Sequence, residues 1–281
     1  GAMIVPPIAT WLVSRYDFRA AFIGTAIVGL AWLPMWLVVA WQNPGRARID
    51  APSATDADAP AAPRGAAAFR EPGEVDPPAA KVSFLALVRT PAVLRLWLVV
   101  VASAPFLTLL ISWSAMYLVN DLGLAQKDIG FLLMPPPLLF DVGAIGFGAL
   151  ASRAARRTGR GTVPPYLLCT AAAMLCVGAL MPLTHAPAQA IALASVAMAG
   201  GAGMYVLGLV DATARAPKGA VATVGGLGAS AQSVAQIVVN PLIGFLAQAT
   251  GHYTVALVAL ALWAIPGTVV WTLWQPETAR A

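Results

Sequence analysis

The chain has 281 residues, of which 59% are hydrophobic and only 10% are charged, and its formal net charge is +5. Its mean hydropathy is +0.77. Soluble globular domains carry about 25% charged residues, so this composition excludes a soluble globular protein. It indicates a polytopic membrane protein.

The membrane-spanning segments are predicted from apolar runs that are long enough to cross about 30 Å of hydrocarbon. Proline, glycine or charged residues bound each run. Residues 1–13 form a further apolar stretch that is too short to span, and we interpret it as the end of a helix whose beginning is missing, since it lacks the features of a signal peptide. Seven full spans are predicted at residues 18–41, 96–118, 128–151, 164–182, 187–210, 220–249 and 253–274.

The distribution of positive charge predicts the orientation, because short cytoplasmic loops carry an excess of Lys and Arg. Fourteen of the 17 such residues fall on one side of the predicted spans, and Arg15, Arg19 and Lys127 fall on the other. We therefore expect a cytoplasmic C-terminus and a plasma membrane location, such as the bacterial inner membrane. The positive net charge follows from this asymmetry, so it favours the lipid bilayer as partner and gives no indication of nucleic acid.

The segment after the first span differs from the rest of the chain. Residues 43–80 are dominated by Ala, Pro, Asp, Arg and Gly, a composition that cannot bury enough apolar surface to offset the entropy of ordering. We predict a disordered cytoplasmic linker here, followed by a short interfacial helix within 81–95. The remaining six spans occupy 96–275, and 276–281 form a cytoplasmic tail.

Cysteines and histidines give no indication of a metal site or cofactor. Cys169 and Cys176 lie seven residues apart on one predicted helix, about 10 Å along its axis and too far apart for a disulfide. His185 and His252 have no carboxylate or thiol close to them in sequence.

Three glycine-rich zones lie within or at the start of spans, at residues 143–148, 199–203 and 225–230. Small residues three or four positions apart let helices approach closely in lipid. We predict close helix packing at all three, and such helices can also bend and slide in a transporter.

Candidate binding residues are the polar and aromatic side chains within or at the ends of the spans, since an isolated polar group in lipid is costly and faces protein or a water-filled cavity. The sixth of the seven spans holds the most polar stretch, in which positions 233, 236 and 240 share one helix face and 232 lies beside it. Hydrogen bonds between helices and the lining of a cavity remain equally open interpretations for its glutamines. For the aromatic residues at the end of the second span, membrane-interface anchoring is an alternative to stacking on a solute. The candidates are Trp113, Tyr117, Tyr205, Ser230, Gln232, Ser233, Gln236 and Asn240.

Residues 141–153, followed by a basic loop, resemble the eighth helix and the next loop of the major facilitator superfamily. More narrowly, they are similar to the anion:cation symporter branch, which carries sugar acids such as hexuronates and galactonate. That branch has an Asp-Leu-Gly turn here and an acidic residue beside the arginine. This sequence has Asp141-Val142-Gly143, and Ser152 stands where the acidic residue would be.

Further stretches resemble the same family in the same order. Residues 4–12 and 18–23 resemble the end of its fifth helix and the start of its sixth, and residues 112–118 resemble the end of helix seven, with Ser114 in place of a proline. Residues 211–228 resemble the loop between helices ten and eleven. The end of helix eleven is matched by 240–244 and 250–253.

The resemblance implies an all-α membrane protein whose C-terminal six-helix bundle, helices seven to twelve, is built as a three-plus-three inverted repeat. Residues 1–42 would then be the end of the N-terminal bundle, with a partial helix five and a full helix six, and the first four helices would be absent. The implied function is secondary active transport, as symport of an organic anion such as a sugar acid with a proton or sodium ion. The missing N-terminal bundle would be a partner of this chain.

Asp141 and Asp211 are the acidic residues that need an explanation. Asp141 is either a structural residue, hydrogen-bonded to a neighbouring helix near the cytoplasmic half, or a proton or cation site. The resemblance favours the structural interpretation, because this branch has its coupling acids and its substrate-binding arginine in the N-terminal half. Asp211 is interpreted as a loop contact near Arg215 and Lys218.

Two other functional classes remain as alternatives. An accessory membrane subunit or half-transporter fits a chain that pairs with another bundle. A polytopic membrane enzyme would need clustered carboxylates or histidines near the interface, and the sequence has no such cluster, so we predict that the chain is not an enzyme.

Overall fold

A computed structural model describes residues 5–42, 84–159, 161–217 and 219–276. The predicted disordered linker at 43–80 lies outside these ranges, as do residues 277–281 of the predicted tail. Within the described ranges the secondary structure is helical, with no strands. The α-helices are α1 (Val5–Arg15), α2 (Phe18–Gln42), α3 (Phe84–Val88), α4 (Pro91–Ser112), α5 (Ser114–Asn120), α6 (Ile129–Leu132), α7 (Pro135–Thr158), α8 (Pro165–Cys176), α9 (Pro187–Arg215), α10 (Val221–Thr250), α11 (Thr254–Leu262) and α12 (Ala264–Leu273).

The prediction of seven spans is confirmed by the described helices. Each span is long and apolar enough to cross a membrane, and several join two consecutive helices through a short break or a 3₁₀ turn. The spans are Phe22–Val39, Pro91–Ser112, Gln126–Thr158, Pro165–Leu183, Pro187–Arg215, Val221–Thr250 and Thr254–Leu273.

The second span starts earlier than predicted. The sequence prediction began it at Leu96 because Arg95 was counted with the loop cations. The structure begins α4 at Pro91, places Thr90 as the N-cap and buries Arg95 inside the helix with 1% exposure. A buried ion pair, described below, makes an arginine acceptable at this depth.

Prolines and glycines set the helix ends. The helices α4, α7, α8 and α9 each begin with a proline, whose fixed φ suits the first helical position and whose missing N–H costs nothing there. Two long helices end on glycines in the left-handed conformation, Gly159 after α7 and Gly251 after α10.

The bundle has a front row of four helices in the order α10, α4, α9, α7, with α8, α11 and α12 behind it. Along the chain, α4, α7 and α8 form one set of three spans, and α9, α10 and the joined α11 and α12 form the next. The first helix of each set packs on the second helix of the other set, α4 on α10 and α9 on α7. This exchange is the packing expected of an inverted repeat.

The two ends of the bundle differ in charge. Arg89, Arg153, Arg156 and Arg157 are exposed at the end where α4 begins and α7 terminates, which we call the basic end. The opposite end, called the distal end, carries the connection between α5 and α7 and the turn before α11.

Close packing is confirmed throughout the second glycine-rich zone and at one glycine in each of the other two. At Gly143 of α7, an added Cβ would collide with the carbonyl oxygen of Ala199, and at Gly200 of α9 it would lie 2.5 Å from that of Ala171. In the third zone only Gly228 packs closely, against Leu96, whereas Gly146 of the first zone and Gly225 and Gly226 of the third have no atom within 4 Å of an added Cβ. The prediction is therefore wrong for Gly146 and for most of the third zone, because those positions of α7 and α10 face outward.

The two N-terminal helices stand at one edge of the bundle. The helix α1 packs on α2 and on α6, where Thr10 lies close to Gly130. No residue of α1 is buried, and the side chains described for α2 are largely exposed.

Candidate functional site

The polar stretch of α10 lies along one flank of that helix at mid-length. The buried positions Val224, Gly228, Val239 and Ile243 form the strip by which α10 packs on the bundle. At about 100° per residue, Gln232 and Gln236 fall beside this strip and Ser233 falls further round on the same flank. All three lie near the middle of a 30-residue helix, and therefore near mid-depth in a membrane.

The two glutamines have no hydrogen-bond partner among the described residues. Neither side chain makes a hydrogen bond with another described residue, so the structure gives no support here to helix-to-helix hydrogen bonding. The Oε1 atom of Gln232 is buried and has no partner. A buried acceptor without a donor is costly, and a hydroxyl of a solute or a water molecule could satisfy it. Ser233 is exposed, and its hydroxyl donates to Ala229 O of the same helix.

Trp113 and Asn240 are brought together at the distal end of the front row. Trp113 lies at the break between α4 and α5, and its indole Nε1 donates to Asn240 Oδ1 at 2.9 Å. Its ring packs on Gly244, where an added Cβ would lie 3.3 Å from the indole. The two side chains line an open pocket of about 710 Å³ together with Ser112 and Gln248. Asn240 therefore forms a hydrogen bond between α10 and the end of α4.

Tyr117 is placed in the core, where it has no access to a solute. It is 2% exposed, and its hydroxyl donates to Met181 O at 3.2 Å. The neighbouring Tyr253 packs its ring on Trp113 at 6.0 Å between centroids, and its backbone N–H donates to Asp121 Oδ2. Burial, followed by the charge of Asp121, raises the pKa of the Tyr253 phenol, so the phenol is neutral at physiological pH.

Tyr205 and Ser230 lie in different surroundings from the glutamines. Tyr205 of α9 is half-buried against the apolar cluster that contains Leu96 and Val100. Ser230 lines an apolar groove on the other flank of α10, and its hydroxyl donates to Gly226 O. Ser230 belongs to the same polar stretch of sequence as the glutamines but lies on a different surface of α10.

Asp141 is exposed on α7, at the opposite end of the front row from α10. It lies twelve residues, about 18 Å of helix, from Arg153 at the basic end, which places it about midway through the membrane rather than near one side. The structural interpretation predicted a hydrogen-bond partner on a neighbouring helix. No described residue forms a hydrogen bond or ion pair with Asp141, so the described bundle does not explain its position.

A buried ion cluster at the basic end is the feature that sequence reasoning missed. The Nε atom of Arg95 lies 2.8 Å from Asp211 Oδ2, and the Nε atom of Arg215 lies 3.1 Å from the same oxygen. Asp211 is fully buried, and its other oxygen accepts from the backbone N–H of Val163 at 3.4 Å. The interpretation of Asp211 as a loop contact is therefore wrong in part: it does pair with Arg215, but inside α9 and jointly with an arginine 116 residues away.

The ion cluster also fixes the end of α12. Arg95 NH1 donates to the carbonyl oxygens of Trp271 and Trp274, and Arg95 Cζ lies 3.9 Å from the centroid of the Trp271 ring. Arg215 NH1 donates to Pro276 O at 2.7 Å. The cluster thus joins α4, α9, the connection after α7 and the chain beyond α12. The sequence does contain a signal for this pair. Arg95 and Asp211 are a basic and an acidic residue on different predicted helices, at a similar depth from the same end of the bundle.

Metal chemistry has no candidate in the described part of the chain, because no group of three or more His, Cys, Asp or Glu residues is arranged there to hold an ion. The polar groups at mid-depth are amides, hydroxyls and one carboxylate. These groups can bind a polar solute or a cation.

Comparison with known proteins agrees with this architecture. The sequence matches the Major Facilitator Superfamily over residues 1–239, and no curated protein matches it. The matched region contains most of the described helices, including the whole front row up to Val239 of α10. This chain therefore belongs to the Major Facilitator Superfamily and is a polytopic integral membrane protein of the secondary-transporter type.

Proposed function

We propose that residues 91–275 are the C-terminal six-helix bundle of a transporter that carries a small organic anion, such as a sugar acid, in symport with a proton or sodium ion. The observation that carries this proposal is the front row, whose two end helices hold polar groups without partners at mid-depth. These groups are Gln232 and Gln236 on α10 and Asp141 on α7. In facilitator-type transporters the solute site lies near the midplane, between two bundles.

The exposed faces of the front row support the proposal of a second bundle. Both α7 and α10 leave most of their surface uncovered, with 22% and 11% of their spans buried. If residues 1–42 belong to such a bundle, α1 contacts the edge of the row at Gly130, and the remaining contacts would come from further helices. In this arrangement the basic end faces the cytoplasm, in agreement with the distribution of arginines.

The chemistry of the row suits a polyhydroxylated solute. Amide side chains both donate and accept hydrogen bonds, so Gln232 and Gln236 can bind sugar hydroxyls. The bundle exposes no described Arg or Lys at mid-depth that could bind a carboxylate. We therefore assign recognition of the acid group to the second bundle, as the family resemblance implies.

Asp141 is the candidate for ion coupling in this bundle. A carboxylate at mid-depth is costly in lipid unless it meets a cation, a proton or water. Asp141 has no partner in the described bundle and is exposed on α7, at one end of the row that a second bundle would cover. Alternation between a protonated or cation-bound form and a free form would couple its charge to the movement of the two bundles.

The test is uptake of a radiolabelled hexuronate or galactonate into proteoliposomes that contain the full-length protein, with an imposed proton or sodium gradient. We expect uptake against a concentration gradient for the wild type. Asp141→Asn should lose this accumulation but keep exchange of labelled for unlabelled solute, because exchange needs no net movement of the coupling ion. The matched control is Asp128→Asn, which changes an exposed carboxylate at the distal end.

Two results would refute parts of the proposal. Equal accumulation by Asp141→Asn and Asp128→Asn would remove Asp141 from coupling. Absence of uptake and exchange of any sugar acid by a correctly folded wild-type protein would remove the assigned solute class.

A further inference from the structure

The groove on the second flank of α10 forms a separate site from the polar flank. It has a volume of about 590 Å³ and is lined by α4, α10 and the junction of α11 with α12. We call it the lateral groove; its lining includes Trp97, Val101, Pro105, Val234, Val238 and Trp263. Ser230 is the one lining residue with a hydroxyl, and that hydroxyl is bonded within its own helix.

The indole N–H groups at the lateral groove are already satisfied. Trp97 Nε1 donates to Leu227 O at 3.3 Å, and Trp263 Nε1 donates to Val101 O at 3.0 Å. The two rings are thereby held in place as groove walls. Apart from the acceptor sites that remain on the Ser230 hydroxyl, the groove offers an occupant no described hydrogen-bonding group, which disfavours a sugar or another polar solute and favours an apolar chain.

The lateral groove lies at the depth of the acyl chains of a bilayer. On α4 it begins at Trp97, about 9 Å along the helix from Pro91, and reaches Pro105, about 21 Å along it. Its lining on α10 begins at Leu227 and continues past the middle of that helix. An acyl chain that enters from the basic end would lie along this path.

An exposed cation stands at the basic end of α4, the helix that forms one wall of the lateral groove. Arg89 is exposed, stands immediately before the N-cap of α4 and pairs with no described carboxylate. The preceding helix α3 is fixed there by Leu87, which packs in the same apolar cluster as Val224, while its Phe84 and Leu85 remain 63% and 59% exposed. Such a short helix, apolar outside and basic at its end, is suited to the headgroup level of a membrane.

We propose that the lateral groove binds one acyl chain of an anionic phospholipid from the leaflet at the basic end, with Arg89 contacting its phosphate group. Selectivity has to come from the headgroup, because a lipid tail gains little hydrophobic free energy on moving from bilayer to groove. The basic residue should therefore favour an anionic lipid over a zwitterionic one by about fivefold. This site is independent of the transported solute.

The test uses native mass spectrometry of the purified full-length protein after delipidation and titration with phosphatidylglycerol or phosphatidylcholine. We expect one tightly retained phosphatidylglycerol with about fivefold preference over phosphatidylcholine. Val234→Trp should fill the groove and lose this lipid. Ile145→Trp, a similar change at an exposed position of α7 at the far end of the front row, should retain it.

A second pair of variants tests the headgroup contact without filling the groove. Arg89→Glu should abolish the preference for phosphatidylglycerol, and Arg156→Glu, at an exposed position on the basic end of α7, should keep it. Equal lipid retention by Val234→Trp and Ile145→Trp, or an unchanged preference in Arg89→Glu, would overturn the proposal. If Val234→Trp instead lost a contact with another protein while its lipid count stayed unchanged, a protein helix would be the occupant of the lateral groove. That result would also overturn the proposal.

Discussion

The helices α9 and α10 have nearly the same length, 29 and 30 residues, and both contain a glycine-rich zone, yet they are used differently. In α9, 72% of the span is buried, whereas in α10 the fraction is 11%. The charged residue Asp211 of α9 is buried and paired, while Gln232 and Gln236 of α10 have no described partner. Similar small-residue patterns thus accompany a structural helix in one case and a candidate binding surface in the other.

The difference follows from position in the front row. α9 lies between α4 and α7 and also packs on α8, so its glycines are needed to let backbones approach. α10 stands at the end of the row and packs mainly on α4. Its remaining surface is divided between a polar flank and the apolar lateral groove. Substitutions in α9 should therefore change stability, and substitutions on the polar flank of α10 should change function.

The largest effect is expected for Asp211→Asn. This change leaves Arg95 and Arg215 buried without a countercharge, and loss of one partner from a buried ion pair typically costs about 3–5 kcal/mol. Arg95→Met should cost less, because it leaves a balanced pair of Asp211 and Arg215. Thermal unfolding of the detergent-solubilised protein measures both, and an equal or smaller loss for Asp211→Asn would contradict the account of the cluster.

A smaller loss is expected when a close helix contact in α9 is blocked. Gly200→Ala places a Cβ 2.5 Å from backbone atoms of α8, and overpacking of this kind costs about 1–3 kcal/mol. The matched control on α10 is Gly226→Ala, where nothing lies within 4 Å and alanine should be neutral or slightly stabilising. The same unfolding assay compares them, and similar melting temperatures would show that α9 tolerates separation from α8.

Substitutions on the polar flank of α10 should change transport and leave stability nearly unchanged. Gln232→Leu and Gln236→Leu should leave the melting temperature nearly unchanged, since neither side chain has a described partner to lose. Each should raise the KM for the solute by up to about tenfold, the equivalent of one hydrogen bond of about 0.5–1.5 kcal/mol. Uptake kinetics and unfolding, measured on the same preparations, separate the two effects; destabilisation with an unchanged KM would return both glutamines to a structural role.

The smallest effect is expected at the distal end. Trp113→Phe removes the hydrogen bond to Asn240 but keeps most of the ring, and hydrogen bonds between membrane helices contribute about 0.6 kcal/mol on average. We expect the melting temperature to fall by about a degree or two relative to the wild type. A large loss would show that this contact between α4 and α10 holds the end of the row together.

The sequence predicts the spans well, because a run of about 20 apolar residues has few alternatives in a membrane. It also predicts the close packing at Gly143 and Gly200. It does not predict which flank of α10 packs inward, since Ser230 and Gln232 differ only in angle around the helix. It places Arg95 in a loop, because hydropathy treats every arginine as a boundary and the partner Asp211 is distant in the chain.

The central claim is that the flank of α10 with Ser233, Gln232 and Gln236 faces a water-filled solute pathway, while the flank with Val234 faces lipid. Ser233 and Val234 are both exposed in the isolated bundle and lie at the same depth, so single cysteines at these two positions distinguish the flanks directly. In membranes that contain the full-length protein with Cys169 and Cys176 replaced, a water-soluble maleimide should label Ser233→Cys and should not label Val234→Cys. Labelling of Val234→Cys without labelling of Ser233→Cys would contradict the account.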